Sequence, residues 1–453
     1  MRVFVKYNCM RIIVAGAGEV GQHLAKLLSR ENMDICLMDE SSDNLGDLEA
    51  NYDLITRVGC PTSIHDLKDI GVKNSDLFIA VTPNEAENMT ACLIANQLGA
   101  KKTLARIDNY EYLLPENKRF LEGMGLNHLI YPEVLAAHEI EESLRTNWMR
   151  YHVTLCNGAL ELCVVKVREG AEVLEQPFKS GFFDHTQYRI VLIKRDNQTI
   201  FPHGDDMVKA GDMVYAVCTK DNMEFLREQL GKPKREIRRV MFYGGTRIAQ
   251  KAAQNLSDDL EIRILEAALE QCQRMSEKLG NALIIHADGS SMETLKDEDI
   301  QDMDAFVAVT PQSEANIFAC LAAKRFGVSK TIADIENIDY ISMAEGLDIG
   351  TVLNKKNITV SYIYQMLLNA SVLNVRNLTS ADAEIVELIA TEGSRITRGQ
   401  IRNLNLPDEV SIGGIVRAGE GLLVNGDTQI LPDDQIIVIC RSHNIRELER
   451  YFK

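Results

Sequence analysis

Short apolar runs alternate with longer amphipathic stretches from residue 10 to residue 132, with a period close to one strand and one helix per 25 residues. Runs of four to six apolar residues predict strands, and the mixed stretches between them, most clearly 86–98, predict helices. Strands that alternate with helices in this way form a parallel sheet covered on both faces. The predicted strands are 11–15, 34–38, 54–58, 77–81, 103–107 and 128–131.

The pattern changes after this region. Residues 133–147 have the apolar spacing of an amphipathic helix, which predicts a linker or crossover between units. Residues 151–230 contain short β-rich runs separated by polar turns, which predicts a small α+β module. Its strand candidates are 160–167, 189–194 and 213–218.

The whole pattern then repeats. Residues 239–249 mirror 11–21, and 18 of the 37 positions from Asp76 to Tyr112 are identical to Asp304–Tyr340 at an offset of 228. The small modules also pair, since Arg195 and Asp212 match Arg417 and Asp434 at an offset of 222. The chain is therefore a tandem duplication, with predicted domains 1–132, 151–232, 236–358 and 377–453 and predicted linker or crossover helices 133–150 and 359–376.

The first strand ends in a glycine-rich turn, G-x-G-x-x-G, that passes into a helix. In this motif Gly16 permits the tight turn, Gly18 lets the backbone approach a pyrophosphate, and Gly21 lets the helix pack close to the strand. Asp39 ends the second strand, where an acid binds ribose hydroxyls. Thr82 and Pro83 follow the fourth strand, at the sheet edge where ligands of doubly wound folds bind, although Thr-Pro is equally good turn chemistry. A parallel sheet with this glycine turn and this acid is typical of the Rossmann fold.

Charge and composition exclude several classes of protein. The formal net charge of −17 over 453 residues argues against nucleic acid or anionic lipid as a direct partner. No apolar run reaches the ~20 residues of a membrane span, and the N-terminus has no signal peptide. Met10 is a candidate natural start, which would make residues 1–9 an extension. The ten cysteines lack C-x-x-C spacing and the histidines lack metal spacing, so we predict reduced thiols, a cytosolic protein and no metal site.

A dehydrogenase places reactive residues in the domain after its nucleotide-binding sheet, yet residues 151–230 show no constellation of acid, base or nucleophile. The leading hypothesis is therefore a non-enzymatic protein that binds nucleotide as a signal. The alternative is an NAD-dependent oxidoreductase with a degenerate second copy. A third interpretation is a nucleotide sensor for some other transporter.

The residues quoted above resemble the TrkA family of potassium uptake proteins, which carry tandem RCK (also called KTN) units. The resemblance rests on two sets of residues. In the sheet region they are the glycine turn, Asp39, Ala80-Val81-Thr82, Ala105-Arg106-Ile107 and Tyr131-Pro132-Glu133, and in the small module they are Arg195, Gly204-Asp205 and Gly211-Asp212. The resemblance implies RCK N-terminal Rossmann domains, each followed by an RCK C-terminal domain. It also implies a cytosolic regulatory subunit that binds NAD(H) or ATP/ADP. Such a subunit forms a tetrameric ring at the inner face of the plasma membrane, on an integral-membrane potassium transporter subunit of the TrkH/TrkG type.

Matched by motif, the predicted nucleotide-binding residues lie in both copies. Arg106 has two interpretations, a phosphate contact or a surface salt bridge. The first copy contributes Gly16, Ala17, Gly18, Glu19, Val20, Asp39, Thr82, Pro83 and Arg106, and the second contributes Gly244, Gly245, Thr246, Arg247, Ile248 and Glu266.

The second copy departs from the motif at three positions. Thr246 and Ala249 replace the second and third glycines, and Asp334 stands where Arg106 stands. A β-carbon at 246 crowds a pyrophosphate and Asp334 repels it, so we predict weaker binding, or none, at the second site. The first copy departs once, because Cys60 replaces an acid that the second copy keeps as Asp288. In the small module Asp205, Asp206 and Asp212 could bind a cation, but acidic turn residues on a solvated surface are more common, and the spacing matches no EF-hand loop.

Overall fold

The computed structural model describes residues 10–29, 33–183, 186–196, 198–256, 260–337, 339–367, 372–378, 381–441 and 444–452. Residues 1–9, interpreted above as an extension, lie outside the described residues, as do 368–371 of the second linker. The predicted fold class is confirmed: two parallel sheets covered by helices alternate along the chain with two antiparallel sheets. The described residues form two compact units.

The first unit contains a six-stranded parallel sheet in the order β3-β2-β1-β4-β5-β6. Its central strand is apolar on both faces, and Ile12, Ile13 and Val14 are fully buried, as expected for a strand covered by helices on each side. The strands are β1 (Arg11–Ala15), β2 (Asp34–Asp39), β3 (Ile55–Val58), β4 (Leu77–Ala80), β5 (Thr103–Arg106) and β6 (His128–Ile130). The helices are α1 (Glu19–Leu28), α2 (Ser42–Leu45), α3 (Leu48–Asn51), α4 (Ile64–Asp69), α5 (Glu85–Leu98), α6 (Pro115–Met124) and α7 (Pro132–Arg145).

The second unit begins within α7, at Ala137, and its first element is a five-stranded antiparallel sheet in the order β10-β9-β11-β8-β7. Its central strands β8, β9 and β11 are almost wholly buried. The elements are β7 (Tyr151–Leu155), β8 (Leu160–Lys166), β9 (Tyr188–Arg195), β10 (Gln198–Ile200), β11 (Met213–Cys218) and α8 (Met223–Gln229).

The second parallel sheet, order β14-β13-β12-β15-β16-β17, repeats the first strand for strand. Its last helix, α14, contributes Lys355–Tyr364 to the first unit and its remaining residues to the second. The strands are β12 (Arg239–Tyr243), β13 (Glu261–Glu266), β14 (Ala282–His286), β15 (Ala305–Ala308), β16 (Lys330–Asp334) and β17 (Thr351–Leu353). The helices are α9 (Arg247–Asn255), α10 (Leu269–Ser276), α11 (Met292–Asp297), α12 (Ser313–Arg325), α13 (Asp339–Gly346) and α14 (Lys355–Leu367).

The second antiparallel sheet has the order β18-β19-β22-β20-β21. Leu160 and Val217 of the first antiparallel sheet share one apolar core with Ile437 and Ile439 of the second. This shared core, together with a hydrogen bond from Arg189 Nη1 to the carbonyl of Val424 (3.0 Å), joins the two modules. The elements are β18 (Val372–Leu378), β19 (Ala383–Ile389), β20 (Val410–Arg417), β21 (Glu420–Leu423), β22 (Gln435–Cys440) and α15 (Ile445–Phe452).

Each antiparallel module buries an aspartate against an arginine on the neighbouring strand. Asp212 is 1% exposed and accepts hydrogen bonds from Arg195 Nε (2.9 Å) and Nη2 (2.8 Å) and from the amide of Lys209 (2.8 Å). Asp434 repeats the arrangement with Arg417 and the amide of Leu431. The Arg–Asp repeat noted in the sequence is therefore a structural pair.

We expect Asp212→Ala to lower the free energy of unfolding by about 1.5 kcal/mol, because the Arg195 guanidinium and the Lys209 amide lose their acceptor. Asp205→Ala is the matched control, since Asp205 is exposed and pairs with the exposed Lys179. Urea unfolding of both variants measures the difference. Equal destabilisation by the two variants would contradict a structural role for the buried pair.

Candidate nucleotide-binding site

The turn between β1 and α1 has the backbone shape that the glycine motif predicts. Gly16 has φ +103°, a left-handed conformation that glycine adopts without strain, and its amide donates to the carbonyl of Met38 (2.9 Å). A β-carbon at this position would lie 2.8 Å from the amide nitrogen of Thr82. The turn therefore packs directly on the carboxyl end of β4.

The remaining two glycines shape the surface that faces a ligand. Gly18 is exposed, and a β-carbon there would meet no atom within 4 Å, so the loop is open at this point. At Gly21 a β-carbon would overlap the carbonyl oxygen of Gly16, which explains the close packing of the helix on the turn. Because α1 begins at Glu19, its free N–H groups lie at the open loop, where an anion is stabilised.

The acid that ends β2 lies against this loop. Asp39 accepts hydrogen bonds at Oδ2 from the amide of Ala17 (2.6 Å) and at Oδ1 from the amide of Ser41 (2.9 Å) and Asn44 Nδ2 (3.0 Å). A carboxylate has about four acceptor positions, so three of these bonds leave one position at Oδ2 for a ribose hydroxyl. The structure thus places the predicted acid beside the predicted phosphate loop.

The predicted binding residues that follow β4 and end β5 differ in how accessible their side chains are to a ligand. Thr82 is buried, and its hydroxyl lies within 3.3 Å of the Asn84 carbonyl and the Glu87 carboxylate, while Pro83 is exposed. Arg106 is partly exposed at the end of β5, and its guanidinium forms no salt bridge or hydrogen bond within the described residues. The described residues therefore show no salt bridge to Arg106.

Asn88 holds these strand ends together, and the sequence reasoning missed it. Its side chain accepts from the Thr82 amide (2.8 Å) and donates to the carbonyls of Thr82 and Arg106 (both 3.0 Å). Asn316 makes the corresponding three bonds to Thr310 and Asp334 in the second copy. The signal was available, because this asparagine is identical in the two repeats.

Lys356, at the start of α14, is a second residue that the sequence reasoning missed. Its ammonium group forms an ion pair with the carboxylate of Glu19 in the glycine loop, and its side chain is only 10% exposed. The adjacent Lys355 pairs with Glu133 at 3.4 Å. A nearly buried cation therefore lies at the mouth of the first phosphate loop, supplied by a helix more than 300 residues away in sequence.

The second copy reproduces the scaffold of the first. Gly244 has φ +99° and lies against Thr310, and Glu266 accepts from the amides of Gly245 and Ala268 (both 2.8 Å), as Asp39 does in the first copy. The residues that follow are partly exposed Thr246, exposed Arg247 and buried Ile248.

Three features distinguish the second copy from the first. The Thr246 hydroxyl caps α9 by accepting from the amide of Ala249 (3.5 Å), whereas Gly18 at the corresponding position of the first copy has no side chain to cap α1. Asp334, at the position of Arg106, is 3% exposed. Tyr243 replaces Ala15, and its ring packs on Gly289 after the third strand, where burial raises the pKa of Tyr243.

The loops after the third strands bind their carboxylates through different backbone amides. In the first copy Asp66 accepts from the amide of Cys60 (2.8 Å), and the Cys60 thiol lies 3.2 Å from the Thr62 hydroxyl. In the second copy Asp288 accepts from the amide of Ser290 (2.9 Å), and this bond lowers the pKa of Asp288. The two loops therefore place their acids differently, since Asp288 stands at the position of Cys60 whereas Asp66 lies six residues after Cys60.

The described residues contain no group of three or more His, Cys, Asp or Glu side chains that is arranged to hold a metal ion. The acidic side chains considered above instead meet cations or amides, since Asp205 pairs with Lys179 and Asp206 accepts from the His203 amide (2.7 Å). No described helix is long and apolar enough to cross a bilayer.

A nucleotide-type glycine loop on a parallel sheet, an antiparallel module after it and a repeat of both define a tandem protein of Rossmann domains, each followed by an antiparallel domain. Residues 12–132 and 240–355 match the TrkA-N domain, and 164–231 and 385–453 match the TrkA-C domain. The chain belongs to the TrkA family of Trk system potassium uptake proteins.

Relatives named Trk system potassium uptake protein TrkA are similar over the full length. The protein of Halomonas elongata is 30% identical over 98% of this chain and 99% of its own, and that of Haemophilus influenzae is 31% identical over the same shares. Among solved structures, the GsuK RCK domain has a TM-score of 0.59 at 15% identity, covering 99% of this chain and 96% of that one. The GsuK channel bound to NAD has a TM-score of 0.59 at 16% identity, with 99% and 79% covered. These structures show the same fold.

Proposed function

We propose that this chain is a nucleotide-binding regulatory subunit that gates an integral-membrane potassium transporter of the TrkH/TrkG type. NAD(H) or ATP/ADP acts as the signal, and the protein does not alter the bound nucleotide chemically. The observation that carries this proposal is the open glycine loop of the first copy, with Asp39 beside it, in a chain of the TrkA family. The NAD complex of a structural neighbour agrees with a nucleotide as the ligand.

In this proposal the first copy holds the nucleotide. Gly16 to Val20 line the phosphates, the α1 N–H groups and the Arg106 guanidinium bind their charge, and Asp39 binds the adenosine ribose. Asp39 disfavours NADP, because its carboxylate would repel the 2′-phosphate. Thr82 and Pro83 form the adjacent wall of the cleft.

The second copy, Gly244 to Ile248 with Glu266, is a weaker site or is silent for nucleotide. The Thr246 side chain occupies the place of the open Gly18 position and already caps the helix. Glu266 keeps the capacity to bind ribose hydroxyls, so the loss is confined to the phosphate contacts. The two copies are then an unequal pair, in which only the first binds nucleotide tightly.

The assembly follows from the same proposal. Four chains form a ring of eight Rossmann units on the cytoplasmic face of the plasma membrane, with domains bounded as given in the sequence analysis. The chain reaches the membrane through its transporter partner and contacts neither lipid nor nucleic acid. Nucleotide changes the equilibrium between ring conformations only as far as it binds them with different affinity.

Copurification tests this function. The tagged full-length chain, purified from a native membrane extract, is expected to retain a potassium transporter subunit, and its deletion is expected to reduce potassium uptake. NADH or ATP incubated with the protein is expected to be recovered unchanged. Turnover of NADH with an added acceptor would favour the oxidoreductase alternative, and unaltered potassium uptake after deletion would refute the transporter assignment.

A further inference from the structure

Six basic side chains gather in the second compact unit, on elements other than the glycine loops. They come from the first antiparallel module and the second parallel sheet, which meet there. We call them the basic cluster: Arg150, Lys166, Arg168, Lys232, Lys324 and Lys330.

One carboxylate, Asp348, serves four of these cations. Arg150 bonds to its Oδ1, Lys166 lies 3.4 Å from the same atom, and Arg168 and Lys324 lie 3.1 Å and 3.3 Å from Oδ2. Burial alone would raise the pKa of Asp348, but Arg150 and the three other cations together hold that pKa below its ordinary value. Asp348 therefore stays ionised and is shared by more charges than it can balance.

The other two cations have only neutral acceptors within the described residues. Lys232 donates to the carbonyl of Lys166 (2.6 Å), and Lys330 donates to the carbonyl of Met149 (2.8 Å) and the Thr351 hydroxyl (3.1 Å). Burial, and then the positive charge of Arg168 and Arg150, lowers the pKa of Lys232 to about 8. Burial and then Arg150 lower the pKa of Lys330. Burial is the largest cause of both shifts, and the neighbouring cations act in the same direction.

The neighbouring acid Glu345 does not neutralise the positive charge of the basic cluster. Glu345, whose charge also acts on Arg150, is held by Lys194 at 2.8 Å. The cluster thus keeps a positive excess in a chain whose formal net charge is −17. The excess reaches solvent at Arg168, whose side chain is 62% exposed, while Lys166 and Lys324 lie behind it at 23% and 22%.

We propose that the basic cluster binds a multivalent phosphate anion, free or carried by a small nucleotide, on its solvent-facing side, where Arg168 is exposed and Lys166 and Lys324 lie behind it. A guanidinium presents paired donors that match phosphate oxygens, and two ammonium groups supply further charge. A phosphate group with more than one negative charge offsets several cations at once, which a single carboxylate cannot do.

Binding there would connect two parts of the second unit. Lys166 and Arg168 belong to the first antiparallel module, whereas Lys324 lies on α12 of the second parallel sheet. An anion shared by both relieves the repulsion among the cations and so stabilises their junction. This site is separate from the glycine loops, so it stands or falls independently of the proposed function.

The test titrates inorganic pyrophosphate into the full-length Gly18→Asp, Thr246→Asp protein, in which both glycine loops carry a carboxylate that repels phosphate. Calorimetry is expected to show binding that Arg168→Gln weakens by about tenfold, since one charge-assisted contact is lost. Arg238→Gln is the matched control, because Arg238 is 75% exposed and pairs with the exposed Glu236. This variant is expected to leave the affinity for pyrophosphate unchanged. Lys166→Gln provides a second variant with the same expected direction.

Replacing pyrophosphate with ADP distinguishes the two sources of phosphate. If the site serves nucleotides, ADP binds at least as tightly as pyrophosphate and also loses affinity in Arg168→Gln. If it serves free phosphates, pyrophosphate binds more tightly. Absence of pyrophosphate binding, or equal affinity in Arg168→Gln, Lys166→Gln and Arg238→Gln, would overturn the proposal.

Discussion

Gly18→Asp is expected to weaken nucleotide binding at the first site by about 100-fold, or about 2.7 kcal/mol, while leaving the fold intact. The fold tolerates the change because a β-carbon at Gly18 meets no atom within 4 Å and the residue is exposed. Binding suffers because the new carboxylate lies at the open loop, where the α1 N–H groups would otherwise meet a pyrophosphate. Calorimetry with NAD, NADH, ATP and ADP in turn measures the loss and also identifies the preferred nucleotide.

Two control variants separate the possible causes of such a loss. Gly123→Asp introduces the same charge at another glycine with open space around it, on α6, and should bind nucleotide normally. Thr246→Asp changes the corresponding position in the second copy. It should reduce the stoichiometry only if that copy binds, so an unchanged value near one nucleotide per chain supports the unequal pair. Normal affinity in folded Gly18→Asp would show that the nucleotide lies elsewhere.

Lys356→Glu is expected to weaken binding at the first site by about 2 kcal/mol, or roughly 30-fold. In the wild-type chain the Lys356 ammonium group offsets the charge of Glu19 at the loop. The variant places a second carboxylate there, and both then repel an incoming phosphate. Lys356→Gln removes the cation without adding an anion and should lie between the two.

A charge exchange tests whether the pair itself matters. Glu19→Lys combined with Lys356→Glu restores opposite charges and is expected to recover most of the affinity. Lys118→Glu is the control, since Lys118 is exposed on α6 in the same compact unit. Wild-type affinity in Lys356→Glu, measured on folded protein, would remove Lys356 from the site.

The duplication itself contained a hint of this pair. The second copy has Arg247 at the position of Glu19. When the copies are aligned on β6 and β17, which lie 223 residues apart, the first has Glu133 at the position of Lys356. At both positions the first copy is acidic and the second copy is basic, so Glu19 of the first copy and Lys356 of the second have opposite charges. Sequence reasoning treated Glu133 only as part of a motif, because nothing local indicates which loop a residue at a helix start will approach.

Local patterns predicted most of the first sheet. All six strands lie within one residue of the predicted bounds, and the predicted helix 86–98 is α5, Glu85–Leu98. The linker helix predicted over 133–147 is Pro132–Arg145. These elements are readable because a strand buried on both faces needs a continuous apolar run, and a helix start needs a cap such as Asn84, whose side chain accepts from the Glu87 amide.

What the sequence determined by itself is periodic or short in range: the two Rossmann sheets, their antiparallel modules, the duplication and the Gly16 turn with Asp39 near it. Tertiary structure alone decided what meets this turn, namely Asn88 across the strand ends and Lys356 from a distant helix. Tertiary packing also brings together the basic cluster, whose members lie between residues 150 and 330 of the sequence. The physical reason is that periodicity reports which face of an element is buried, whereas charge pairing depends on which buried faces pack together.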